Sequence, residues 1–253
     1  MKQTIKAIGC IVVGAGLLSS AQAEGGKIIP TDPVPVCEVP FTGSVSVGYD
    51  TDYYHRGQQW GENNVSAAVG IDYSLSASMN LALDTTYNNI IDPAGWDRLV
   101  SGAWGEFDLM GLEAGVGFNW YYYPEASNDD TYEVGLRLGT TVGPIDIDFG
   151  YYYDFESSGN YFELGGSKTI ALGDCLDLNL GGGIGYGDEN YVFDGIVNGG
   201  DHVYATVGLT YHLTETASVS GYITGNWLYD DLEALSGGDD EDVYGGASIR
   251  VNF

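Results

Sequence analysis

Twelve segments that alternate apolar with polar residues, and connections that run short and long in turn, predict an all-β protein. The fold class they imply is a 12-stranded antiparallel transmembrane β-barrel of the outer-membrane kind, with short periplasmic turns and longer extracellular loops. The third observation is composition. Tyr 20 and Gly 39 spread through alternating segments suit strands, and suit neither a helical bundle nor a disordered acidic chain.

Residues 1–23 read as an export signal. Lys2 and Lys6 form a basic start, 7–18 an apolar run, and Ala21-Gln22-Ala23 a cleavage motif. That run falls short of the ~20 residues a membrane-spanning helix takes, and Cys10 within it reads as filler. Residues 24–40 hold four of the seven prolines (Pro30, Pro33, Pro35, Pro40) without alternation, which predicts an extended periplasmic arm. Residues 41–253 then form the barrel.

With Lys+Arg 8 against Asp+Glu 36 the formal charge is -28, and loss of Lys2 and Lys6 takes it to -30. Such a chain has no affinity for nucleic acid, whose phosphates demand Lys and Arg.

In order, the strands are expected at 42–55, 64–75, 79–89, 98–108, 111–123, 131–142, 145–154, 161–172, 176–187, 201–213, 217–229 and 243–253. Most meet the roughly 9 to 11 residues of a tilted membrane strand. Short turns fall at 76–78, Met110, Gly143-Pro144, 173–175 and 214–216. Longer polar loops are expected at 56–63, 90–97, 124–130, 155–160, 188–200 and 230–242. An even strand count places both barrel ends in the periplasm.

Alternation assigns the faces. Val45, Val69, Ile71, Val116, Phe118, Ile147, Ile184 and Leu209 belong to the side facing the lipid bilayer and lipopolysaccharide. Tyr121-Tyr122-Tyr123, Tyr151-Tyr152-Tyr153, Trp227 and Tyr229 gather near strand ends, where amphipathic rings form interfacial girdles. Lys168 falls on the apolar face with Phe162, Leu164 and Ile170. Either it snorkels to the periplasmic rim, or a bulge near Gly165-Gly166 shifts the register.

The opposite face carries Asp50, Asp52, Asp72, Asp84, Glu106, Glu113, Glu133, Asp146, Asp148, Glu163 and Asp177 against Arg137, Arg250 and, near the outer mouth, Arg56. Buried charges need partners or water. The arginines are too few to pair every carboxylate, so water is expected to reach much of this interior. Glycines share the face (Gly115, Gly117, Gly135, Gly139, Gly181, Gly183, Gly185, Gly187) and either keep a lumen open or accommodate curvature or the folded-in arm. An acidic wall attracts cations, which implies a narrow, cation-favouring passage for small solutes. The alternatives are a structural or partner-binding barrel and a lipid-modifying one.

The acidic loop residues (Asp188-Glu189, Asp194, Asp239-Asp240-Glu241-Asp242) suit divalent cations in donor type, yet lack the spacing of a calcium loop. His55, His202 and His212 have no metal-ligand spacing and no motif pairing them with a catalytic serine. His55 and His202 are expected at the outer rim as girdle residues, and His212 inward near the periplasmic end. No catalytic residue, metal site or cofactor is therefore assigned. Cys37 in the arm and Cys175 in a periplasmic turn lie on the same side of the membrane. They form either a disulfide that pins the arm or two free thiols.

Two resemblances remain. The final strand, 243–253, closes on Phe253 as bacterial outer-membrane barrels typically do, which implies engagement by the outer-membrane assembly machinery. The first strand, with Thr51-Asp52-Tyr53 followed two residues later by Arg56-Gly57, resembles the opening of the TorF-like family of uncharacterised porin-type outer-membrane proteins. The likeness is confined to 45–73 and implies a porin-type barrel with no established substrate. Asp52 and Arg56 share a strand face, so an ion pair at the mouth is expected, serving loop order or solute recognition.

Overall fold

The computed structural model describes residues 41–92, 97–124, 130–188, 190–191, 199–230 and 241–253. The expected signal, the arm with Cys37, and Glu189, Asp194, Asp239 and Asp240 of the acidic loops lie outside them. Twelve strands form the structure: β1 (Phe41–His55), β2 (Gln58–Ser76), β3 (Met79–Asp92), β4 (Arg98–Leu109), β5 (Leu112–Tyr122), β6 (Thr131–Val142), β7 (Ile145–Asp154), β8 (Asn160–Ala171), β9 (Leu176–Asp188), β10 (Gly199–His212), β11 (Ala217–Asp230) and β12 (Glu241–Asn252). Each is antiparallel to its sequence neighbours, and β1 pairs with β12 to close the barrel. Closure leaves no open sheet edge, the condition for a sheet surrounded by hydrocarbon.

The seam is pinned at the rim of short turns. The Gly43 N–H donates to the Phe253 carbonyl at 2.8 Å, and Phe253 N–H to the Gly43 carbonyl at 2.9 Å. A Cβ at Gly43 would stand 2.5 Å from the Phe253 ring, so the terminal aromatic lies across a residue with no side chain.

Five of the six expected long connections fall between strands on the opposite rim. The first does not. Residues 56–63, expected as a loop, are a two-residue turn at Arg56-Gly57 (φ 52 and 78) followed by the start of a 19-residue β2. Two positive φ angles in a two-residue hairpin are the signature of a type I′ turn, which favours Asn or Gly at its first position. Polar composition suggested a loop, but Gln58 and Gln59 ladder back onto His55 and Tyr54 instead.

The apolar face points outward, with Val69 at 47%, Val116 at 58% and Ile223 at 63% exposure. Lys168 stays on it. The β8–β9 register runs unbroken from Tyr161↔Gly187 to Ala171↔Asp177, with Lys168 opposite Leu180, so no bulge turns it inward. The tyrosine triplets are divided by the pleat. Tyr122 faces outward, while Tyr121, Tyr123 and Tyr152 enter the lumen, so half of the two triplets is interior.

The inner glycines have a role that neither sequence reading included. Cβ atoms at Gly117 and Gly135 would fall 2.6 and 2.5 Å from the Trp104 indole, and one at Gly185 2.3 Å from both the Tyr161 hydroxyl and His202 Nε2. These positions are slots in which large inner rings lie flat on neighbouring strands.

Candidate functional site: an acidic vestibule beneath an aromatic plug

The β1–β2 hairpin tip leaves the wall. Pairing of β1 with β12 extends from Ser44↔Asn252 to Asp50↔Gly246, while β1 continues to His55. The β1–β2 register also shifts between Tyr53 and Tyr54, and Asn63 has a φ of 56. Bulges bend a strand and re-aim its end; here they tilt the tip into the lumen.

Arg56, at the tip, reaches the far wall. In the twelve-strand order β7 stands six places from β1. The Arg56 guanidinium donates from both terminal nitrogens to Glu133 on β6, with Nη2 to Oε2 at 2.8 Å, and also meets the Tyr191 hydroxyl. Its Cζ lies 4.0 Å from the centre of the Tyr152 ring (β7), 4.8 Å from Tyr161 (β8) and 5.4 Å from Tyr191. Left-handed backbone at a residue with a Cβ costs about 1–2 kcal/mol. Burial works against the Arg56 charge, but Glu133, Tyr121 and Tyr191 outweigh it and hold the guanidinium protonated well above its ordinary range. Burial likewise pushes the Tyr191 hydroxyl well up, so it remains a donor.

The expected Asp52–Arg56 pair does not form. Asp52 accepts from Gln59 Nε2 at 3.0 Å, and Arg56 takes Glu133 instead. Sharing a strand face was insufficient once the turn carried Arg56 across the barrel. The two outer histidines are not girdle residues either. His202 is 4% exposed and shares a 2.8 Å hydrogen bond with the Tyr161 hydroxyl, and His55 packs edge-on to Tyr121 with ring centres 5.6 Å apart. Gly57 sits directly against His202; a Cβ there would be 2.5 Å from the ring.

Arg98 is a functional candidate that the sequence reading missed. It shares a face with Glu106 on β4, is 2% exposed, and lies 4.9 to 5.4 Å from the ring centres of Tyr121, Trp60 and Tyr53. Alternation along β4 from Glu106 and Trp104 would have found it. The plug is thus two arginines and a collar of aromatic rings. A network runs beneath it: Trp104 Nε1 donates to Asn119 at 3.3 Å, Asn119 to Glu133 at 3.4 Å, and the Tyr121 hydroxyl to Glu133 at 2.6 Å.

Two more of the inner carboxylates are tied down. Asp50, 3% exposed, accepts from the Tyr222 hydroxyl on β11 at 2.6 Å, across the β1–β12 seam, and from Asn64 on β2 at 2.9 Å. Glu163 accepts from Tyr204 at 2.8 Å and Tyr161 at 3.0 Å. Asp50, Glu133 and Glu163 therefore organise the plug and its surroundings and do not stand as free wall charges.

Nearer the short turns the lumen changes character. Asp72, Asp146 and Asp148 are exposed, and Asp84, Glu106, Glu113 and Asp177 half-exposed, on the inward face of their strands. The Arg137 guanidinium lies 3.5 Å from the Trp104 ring centre, donates to the Tyr152 hydroxyl at 3.1 Å, and reaches Asp84 and Glu106 with its charge. Arg250 shares the inner face, opposite Ser46 and Ser218. His212 points inward as expected and bonds Asp177 at 2.9 Å. Among the described residues no three His, Cys, Asp or Glu side chains form a metal-holding group. Asp188, in the acidic outer stretch, gives its oxygens to Asn160 and to the Tyr191 N–H. Cys175 is exposed in the β8–β9 turn.

No protein-family model matches this chain, and no curated protein sequence matches it. Among solved structures it is similar to an outer-membrane channel from Pseudomonas putida F1, at 11% identity over 90% of this chain and 100% of that one, with a TM-score of 0.53. It is also similar to the KdgM porin, at 11% identity over 83% of this chain and 99% of that one, with a TM-score of 0.50. At this identity the likeness is one of fold, and the fold is a closed 12-stranded transmembrane barrel that outer-membrane channels also have.

Proposed function

We propose that the protein is a porin-like channel of the outer membrane that passes small solutes and favours cations. The observation that carries this reading is the separation within the lumen: an acidic lining (Asp72 and Asp148 exposed, Asp84 and Glu106 half-exposed) below a buried plug (Arg56, Glu133, Tyr191). Carboxylates facing water on a low-dielectric wall concentrate cations and repel anions. The fold shared with the Pseudomonas channel supports a conducting barrel. The segment whose sequence resembles the TorF-like opening is the one that forms the tip, which makes that resemblance a matter of the mouth.

In this reading the short turns face the periplasm and the plug faces outward. The tip sets the conductance, because solutes must pass or displace it. A buried plug would also suit a structural barrel without transport. Planar-bilayer recording of the full barrel separates the two. A small current with a reversal potential on the cation side supports the channel, and absence of current from both wild type and Arg56→Gly overturns it.

A further inference from the structure

The chamber around the Arg56 guanidinium is built without the hairpin. Glu133 is oriented by hydroxyl donors from Tyr121 and Tyr191, at 2.6 and 2.9 Å. Tyr161 is fixed by Glu163 and His202, and Tyr191 by its own N–H to Asp188 at 3.0 Å. These groups come from β5, β6, β8, β9, β10 and the segment after β9, so the hydrogen bonds that orient the cage do not use the hairpin. Its chemistry is that of a cation receptor, with electron-rich ring faces around a single carboxylate. The tip, by contrast, has no backbone ladder to β12 and is held to it by side chains, the Tyr54 hydroxyl donating to Asp242 at 2.7 Å and its ring stacking on Tyr244. Its pairing to β12 stops at Asp50, and its turn places a bulky residue at φ 52 where Gly or Asn is preferred.

We infer that this cage is a binding site for the guanidinium or primary-ammonium head of an organic cation, and that Arg56 fills it as a tethered competitor. The inference rests on the channel reading and deepens it by naming the solute class. A cation drawn into the barrel meets a chamber that already holds its charge and shape. By occupying that chamber it releases the hairpin from the far wall. The tether gives Arg56 an effective concentration on the order of millimolar, so a solute must exceed that level to compete.

The test is calorimetric titration of methylguanidinium chloride into the whole folded barrel in detergent, against matched sodium chloride. Arg56→Gly suits the turn and empties the cage. It is expected to bind one methylguanidinium saturably, at least tenfold more tightly than wild type and than Arg56→Gly/Glu133→Gln. If Arg56→Gly does not give a heat-resistant folded band on gels, Arg56→Asn, equally suited to positive φ, carries the same comparison. Folded variants that show no saturable binding, or a double variant that binds as tightly as the single one, overturn the site. Calorimetry does not depend on conduction. A barrel that binds methylguanidinium but passes no current retains the site and loses the channel, while one that conducts without binding loses the site alone.

Discussion

Arg56 and Glu133 are 77 residues apart in sequence and meet as a buried ion pair across the barrel, their side chains 8% and 2% exposed. A pair this deeply buried contributes little relative to two apolar groups, but breaking it strands one charge. The contact therefore decides where the hairpin tip sits more than how stable the barrel is.

Glu133→Gln is expected to lower stability by about 3 kcal/mol, because Arg56 then lies buried without a counter-charge. Arg56→Gly in the same chain should recover most of that loss. Urea unfolding of the two single variants and the double variant, followed by tryptophan fluorescence, checks this. Additive effects would mean that the two side chains are not coupled.

Gly135→Ala puts a methyl group 2.5 Å from the Trp104 ring and 2.9 Å from Tyr152. Overpacking of this kind costs about 1–3 kcal/mol. The cost should fall sharply in a Trp104→Ala background, which empties the slot. An equal cost in both backgrounds would mean that the glycine serves the backbone and not the ring.

Neutralising the lining with Asp72→Asn, Asp84→Asn and Glu106→Gln together should move the reversal potential in a potassium chloride gradient toward zero. Conductance through the Arg56→Gly barrel gives the larger signal. A cation preference untouched by the three changes would place the selecting charges elsewhere.

Lys168→Leu should stabilise the barrel by about 1–2 kcal/mol, since it removes a charge from the lipid face partway from the rim. Denaturant unfolding from phospholipid vesicles measures the gain. A loss of stability instead would reveal a partner for the ammonium group, such as a lipid phosphate.

Cys175 is exposed on the short-turn rim. Of the two alternatives for Cys37 and Cys175 we expect the bridge, so that a maleimide probe reaches Cys175 from the periplasmic side only after reduction. Labelling of both thiols without reductant would establish them as free.

The strand count, the barrel's closure and the lipid-facing wall were legible in the sequence, because a period of two assigns every residue of a long strand to one face. Val69, Val116 and Ile223 lie where their parity puts them. The same parity placed Asp72, Asp84 and Asp148 inside. It missed what depends on a change of direction: two residues of the first connection make a type I′ turn, the β1–β2 ladder is bulged, and Arg56 reaches β6 instead of Asp52 four residues away. Local pattern fixes faces, because the side-chain period is a property of the strand itself. Tertiary structure decided which carboxylates stay in water and which are consumed by the plug, because that depends on contacts between strands half a circumference apart.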